Sequence, residues 1–174
     1  MTSDRTNSSE SQPQRPPNDD PAAWHAYWKV LEQPWRTEPE IADKRKKELA
    51  RRRAITPDPD RDEYPFQDMS LSRGDVEWLL KTHEGGLGPL KFLGEVSGRQ
   101  EFNLQGANLS GVDLSYLPLT ATRFEGAILT GANLEGAELQ SAVLRDASLM
   151  DVNLKKPISG GLTWRVSGFG VPQP

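Results

Sequence analysis

Residues 101–156 repeat with a period of five, and that spacing excludes both regular ways of burying an apolar stripe. Read in fives, the stretch is EFNLQ GANLS GVDLS YLPLT ATRFE GAILT GANLE GAELQ SAVLR DASLM DVNLK. The fourth position of each five is Leu104, Leu109, Leu114, Leu119, Phe124, Leu129, Leu134, Leu139, Leu144, Leu149 or Leu154. Two residues earlier stands alanine at 107, 127, 132, 137, 142 and 147, and two residues later glycine at 106, 111, 126, 131 and 136. A helix returns to one face every 3.6 residues and a strand every 2.0, so neither keeps this stripe on one side. A chain that turns a corner every five residues does. Each five then supplies a short extended side, with the leucine and its small partner pointing inward. Gly, Ser or Asp at the corner eases the tight backbone there. Four such sides close a square coil of 20 residues. The block holds about 2.75 such coils, roughly 13 Å tall at the about 4.8 Å spacing of paired strands.

GANLS, GANLE and GAELQ resemble the tandem A-(D/N)-L-x-x pattern of the pentapeptide-repeat family. The resemblance implies a mainly β solenoid, a right-handed quadrilateral β-helix, in which the eleven fourth-position residues fill the bore. Thr122 and Leu117 depart from the pattern by replacing the usual alanine. Pro118 falls on the outside of a side, where it donates no backbone hydrogen bond and predicts a gap in that face's ladder. The upstream segments QPWRTEPEI, EYPF, SRGDVEWLLKTHE and GPL resemble the leader that precedes such repeats in bacterial members of no assigned function. Some quinolone-resistance members mimic DNA and bind type II topoisomerase, so the resemblance offers that function as an alternative. Mimicry needs a long acidic rod, since duplex DNA carries one charge per about 1.7 Å. Residues 101–156 hold seven carboxylates against four bases, on a short rod.

The remainder of the chain divides by composition. Residues 1–20 carry no large apolar residue after Met1 and predict a disordered tail. Residues 21–100 predict a small helical module, a Trp-rich leader or cap. Asp20 before Pro21 is a helix start, and Trp24, Tyr27, Trp28 and Leu31 share one face of the helix that follows, up to Pro34. Residues 40–55 favour a second helix anchored sparsely by Ile41, Leu49 and Ile55, and TPDPDRDEYPF breaks it. Ser72 and Asp75 resemble a capping box, after which Val76, Leu79, Leu80 and His83 share a face and Gly85-Gly86 ends the helix. Four of the five tryptophans (Trp24, Trp28, Trp35 and Trp78) lie in this module and are expected to glue it together. Residues 157–174 lose the register and predict a C-terminal cap with a frayed end.

Several chemistries are excluded or disfavoured by residue type. With no cysteine there are no disulfides, thiolate metal sites or cysteine nucleophiles, which suits a cytoplasmic location. The two histidines, His25 and His83, have no partner at metal-ligand spacing, and no cofactor is expected. Glu77, His83 and Glu84 lie close in sequence, but no nucleophile, phosphate loop or triad accompanies them, so the reading is non-catalytic. The net charge of −4 asks for no nucleic acid. Residues 44–53 hold seven bases and offer a second alternative, contact with nucleic acid through a basic helix. Acidic neighbours offset them and disfavour it. No apolar run spans a bilayer, and the N-terminus is no secretory signal. The favoured function is a scaffold or protein-interaction module whose partner the sequence does not name, with the leader as cap or recruiter. Solenoid ends need such a cap, because an uncovered end exposes core and unpaired backbone. The few coils also suit a truncated relative of a longer repeat protein.

On the outer surface, residues 20 apart should stack. That sets Glu125 beside Arg145, Glu135 beside Lys155, and Asp113, Asn133 and Asn153 in a polar ladder. Ile128 and Met150, near Thr130 and Ser148, form one candidate contact patch. Trp164 and Phe169, in the apolar C-terminal segment, are candidates for pairing two copies of the chain as a homodimer.

Overall fold

The computed structural model describes residues 13–17, 19–90 and 98–156. Most of the expected tail, and all of the expected C-terminal cap with Trp164 and Phe169, lie outside the described residues.

Three helices make the leader. α1 (Pro21–Val30) starts as expected: the Asp20 carboxylate accepts the Ala22 N–H at 3.0 Å, with proline at the first position. Trp24, Tyr27 and Trp28 cluster with ring centroids 4.8–5.6 Å apart. α2 (Asp43–Arg53) buries only Leu49 from its interior, and Ile55 beyond it stays exposed rather than anchoring the helix. One buried residue suffices because the following breaker leads directly into the shared core at Phe66. α3 (Arg73–Lys81) begins with the Ser72–Asp75 capping box, both halves formed. It ends earlier than Gly85-Gly86: the Thr82 hydroxyl donates to the Trp78 carbonyl at 2.8 Å, and Glu84 and Gly85 take left-handed backbone.

The repeat block coils with a return every 20 residues. Regular strand is limited to β1 (Phe102–Asn103) and β2 (Thr122–Arg123), which pair in parallel with Phe102 opposite Thr122. Elsewhere single residues pair in parallel at the same offset: Asn108 with Ile128, Asp113 with Asn133, Pro118 with Glu138, Arg123 with Val143. The expectation of a mainly β chain is corrected to this extent. A corner every five residues leaves one or two extended residues per side, too few for longer strands.

Four sides follow from these pairs: 103/123/143, 108/128/148, 113/133/153 and 118/138. At corners such as Gly111 and Gly131 the backbone φ is +66° and +68°, where glycine carries no steric cost. Pro118 leaves no gap toward the coil above, because Leu119 donates to Glu138 at 2.9 Å and Glu138 to Leu117 at 3.0 Å. The ladder faces away from the proline nitrogen on that side.

Leu104, Leu109, Leu114, Leu119, Phe124, Leu129, Leu134 and Leu139 have no exposed surface, Leu144 and Leu149 are buried, and Leu154 is partly buried. Burying each such side chain stabilises by about 1.5–3 kcal/mol relative to leaving it in water. Thr122 and Leu117 also lie inside, and the Thr122 hydroxyl has no hydrogen-bond partner.

The leader continues this bore. Phe66, Met69, Leu71, Val76, Leu79 and Leu80 belong to the same apolar cluster as the repeat leucines. Ser70 pairs in parallel with Asn108, the Asn108 N–H donates to Met69 and Leu71 donates back to Asn108, both at 3.0 Å. Residues 68–71 thus stand where an earlier coil would stand on that side. On the next side the Arg73 guanidinium donates to the Asp113 and Ser115 carbonyls at 3.1 and 3.2 Å. Backbone acceptors at an open solenoid end are satisfied here by one side chain.

Candidate functional site

The leader and the coil enclose a cleft of about 700 Å³. One wall comes from the loop after α1, with Pro34, Trp35 and Glu38. The coil contributes Tyr116, Pro118 and Glu138, and Arg73 of the leader bridges to Asp113 of the coil within the same lining. His25 and Pro21 of α1 form the rim.

A buried carboxylate holds the loop wall in place. Glu77 has no exposed surface and accepts from the Thr37 N–H at 2.9 Å, the Thr37 hydroxyl at 3.2 Å and the Glu38 N–H at 3.1 Å. It also takes the Arg73 Nε at 2.9 Å. Arg36 is equally buried, lies 3.7 Å from Glu77 and 3.6 Å from Glu40, and stacks 3.6 Å from the centroid of Trp28. Burial pulls its guanidinium below the usual arginine range, against the raising effect of both glutamates. The Trp28 Nε1 donates to the Glu38 carbonyl at 2.8 Å, so the aromatic cluster of α1 pins the same loop.

The coil wall depends on a substitution within the repeat pattern. Tyr116 occupies the corner slot where other fives carry glycine, with φ +57°. Its ring is 65% exposed and lies over Gly136; a Cβ there would come within 2.5 Å of Tyr116 Cε1. Glycine at 136 is therefore what lets the ring lie against the coil.

The charges in the cleft are not balanced. Arg73 is taken by Glu77 and by Asp113, the latter at 3.6 Å. Among the described residues Glu38 and Glu138 form no ion pair. Burial, and for Glu38 also the neighbouring Glu77 charge, raises both carboxyls above the ordinary glutamate value. Asp113 feels burial too, but hydrogen bonds from Ser115 and Asn133 and the Arg73 charge hold it below its ordinary value.

Other candidate groups fall elsewhere. Of Glu77, His83 and Glu84, only the last two meet, 3.7 Å apart: Glu77 holds the 37–38 backbone, while His83 Nε2 also lies 2.9 Å from the Gln100 carbonyl and Glu84 binds Arg99 at 2.6 Å. The Gln100 N–H, donated to Glu84, keeps that carboxyl below its ordinary range. Three of the seven bases in residues 44–53 are structural. Arg45 binds Asp75 and the Ser70 carbonyl, Lys46 binds Asp43 and Glu40, and Arg53 binds Thr82. Lys44, Lys47, Arg51 and Arg52 remain exposed. Among the described residues no group of histidine and carboxylate side chains is arranged to hold a metal, and no helix is long and apolar enough to cross a membrane.

On the coil's outer face, Asn133 donates to Asp113 at 3.0 Å and Asn153 to Asn133 at 2.8 Å, the ladder read from the 20-residue spacing. The two ion pairs read the same way do not form. Glu125 is held at 2.7 Å by Arg123, two residues away on the same coil, and Glu135 accepts from Asn153 at 3.4 Å. For Glu125 a base on the same coil is nearer than the one a coil away, and Glu135 meets the amide of Asn153 on the next coil instead of Lys155. Ile128 is 38% exposed and Met150 66%, and Thr130 and Ser148 hydrogen-bond beside them at 3.0 Å. The cleft itself was not legible in the sequence; its one signal was the tyrosine in a glycine slot.

A coil returning every 20 residues around a leucine bore, closed at one end by a helical cap, defines a capped repeat protein. Residues 119–155 match the model for pentapeptide repeats, in eight copies. Residues 119–155 thus carry pentapeptide repeats. A crystal structure of the pentapeptide repeat protein Rfr23 from the cyanobacterium Cyanothece 51142 is 35% identical over 34% of this chain, with a TM-score of 0.34. The matched part spans 41% of that neighbour's length. No curated protein matches the chain.

Proposed function

We propose that this chain is a non-catalytic scaffold or protein-interaction module. Its repeats form a right-handed quadrilateral β-helix over residues 101–156, and the leader, 21–100, serves as both cap and docking wall. The observation that carries this reading is the cleft: a concave surface of about 700 Å³ built jointly by cap and coil, with exposed Tyr116 on it. The cap alone needs only the apolar plug from Phe66 to Leu80. Glu38 and Tyr116 add surface that the plug does not use, and Trp35 packs only partly against it.

The topoisomerase alternative has no support in this geometry. Carboxylates are spread over three sides of the coil, with Glu125 beside 123, Asp113 and Glu135 on the 113/133 side and Glu138 on the 118/138 side. Nor do four free bases on α2 make a phosphate track.

Site-specific photocrosslinking in native lysate tests the proposal. A crosslinker at Tyr116 is expected to yield a discrete adduct that excess unlabelled chain competes away, while one at exposed Leu87 yields none. Identical patterns from both positions would overturn the reading.

A further inference from the structure

Resting on the interaction reading, we propose that the cleft receives a cationic side chain, a guanidinium or ammonium on an aliphatic stem, from a basic segment of a partner protein. Three independent features of the cleft converge on that chemistry. The cleft is a concavity shared by leader and coil, with a volume of about 700 Å³ that suits a long side chain and the backbone beside it. Its lining includes the aromatic rings of Trp35 on the leader and Tyr116 on the coil, together with Pro34 and Pro118. Rings of this kind attract a cation through their negative faces and cover its apolar stem. Two glutamates, Glu38 and Glu138, line the cleft, and among the described residues neither forms an ion pair; the Arg73 charge acts on Glu38 but does not outweigh its burial and the Glu77 charge. The lining arginine, Arg73, is already committed to Glu77, Asp113 and two backbone carbonyls.

The balance of effects favours a cation over an anion or a neutral ligand. An anion would meet Glu38, Asp113 and Glu138, with only His25 and an occupied arginine to receive it. A neutral chain would leave two half-buried carboxylates desolvated without compensation. A cation compensates both. Asp19, exposed beside the leader, adds to the negative potential felt at Glu38 and steers in the same direction.

The chain's own N-terminal tail carries Arg5 and Arg15 and is a rival occupant that the test must separate. The full-length protein, labelled with ¹⁵N, is titrated with the acetylated, amidated tripeptide glycyl-arginyl-glycine and with its citrulline counterpart, which keeps the shape and lacks the charge. The Trp35 indole N–H resonance is followed. The expected result is a saturable shift with at least tenfold tighter binding of the arginine peptide, abolished in the Glu38→Gln/Glu138→Gln double variant. That variant should melt no lower than the parent, which separates lost binding from lost folding.

Equal responses to both peptides, or a preference that survives the double variant, would overturn the proposal. So would a ligand-free shift of the Trp35 resonance in an Arg5→Gln/Arg15→Gln chain, which would make the tail the occupant. Failure here removes the cationic ligand only, because competed crosslinking from Tyr116 is read independently.

Discussion

The leader and the coil solve the same burial problem by opposite means. The coil uses one inward residue type and one backbone ladder, repeated at an offset of 20, so each five is interchangeable with its neighbours. In the leader hardly anything is interchangeable. Its loop 34–38 is fixed by a single buried carboxylate, a buried arginine stacked on Trp28 and one indole N–H. A periodic structure distributes its stability over many similar contacts, whereas a bespoke one concentrates it in a few. The contrast teaches where a surface can be specialised. Tyr116 stands at a left-handed corner where other fives carry glycine, a cost the repeat's regular contacts absorb.

The sharpest break of this contrast is at Glu77. Replacing it with alanine leaves Arg36 buried and short of its partner, with the Thr37 and Glu38 N–H groups unsatisfied. A loss of about 3–5 kcal/mol is expected in urea unfolding. A loss below about 1 kcal/mol would mean the leader is not held by one hub. In the coil, Leu129→Ala should cost about 3 kcal/mol by cavity formation, and Leu134→Ala about the same. A wide disparity between them would contradict interchangeable fives.

Gly136→Ala comes next. Left-handed backbone and the collision with Tyr116 should together cost about 2 kcal/mol, against about 1 for Gly111→Ala, where nothing lies within 4 Å. The excess should disappear in a Tyr116→Ala background, which a double-mutant cycle measures. Thr122→Val should gain about 1 kcal/mol, since the buried hydroxyl has no partner. Unchanged thermal stability would indicate that the hydroxyl is satisfied.

The smallest expected effect is the pH dependence of Glu138→Gln. Burial raises the folded-state value of this glutamate, so the native state binds the proton more readily than the unfolded chain. The carboxylate therefore weakens the fold as pH rises through that raised value. The glutamine variant should be slightly more stable at neutral pH, and the advantage should vanish below the ordinary value of 4.5. An advantage that instead grows on acidification would reverse the assignment.

The repeat's register was legible in the sequence because period five admits one inward set. Each leucine from 104 to 149 is buried, and the Asp113–Asn133–Asn153 ladder follows by counting. The helix starts at Asp20 and Ser72 were legible too, since capping is local chemistry. What escaped was non-local. Nothing in QDMSLS announces that Ser70 will pair with Asn108, because that segment shares no residue pattern with the fives. Arg36 and Glu77, 41 positions apart, carry no motif that brings them together. The short-range pairing of Glu125 with Arg123 over Arg145 depends on side-chain reach, which spacing alone does not rank. The cleft arises only when loop and coil meet.

The central claim is that residues 68–71 act as the coil's first turn on one side, making leader and repeats one cooperative body. In a Trp164→Phe background the four remaining tryptophans all lie in the leader, so their fluorescence reports that region alone. Urea unfolding followed by fluorescence and by far-ultraviolet dichroism should give one midpoint, and Leu129→Ala should move both signals together. Two separated midpoints, with the fluorescence transition untouched by Leu129→Ala, would contradict the account.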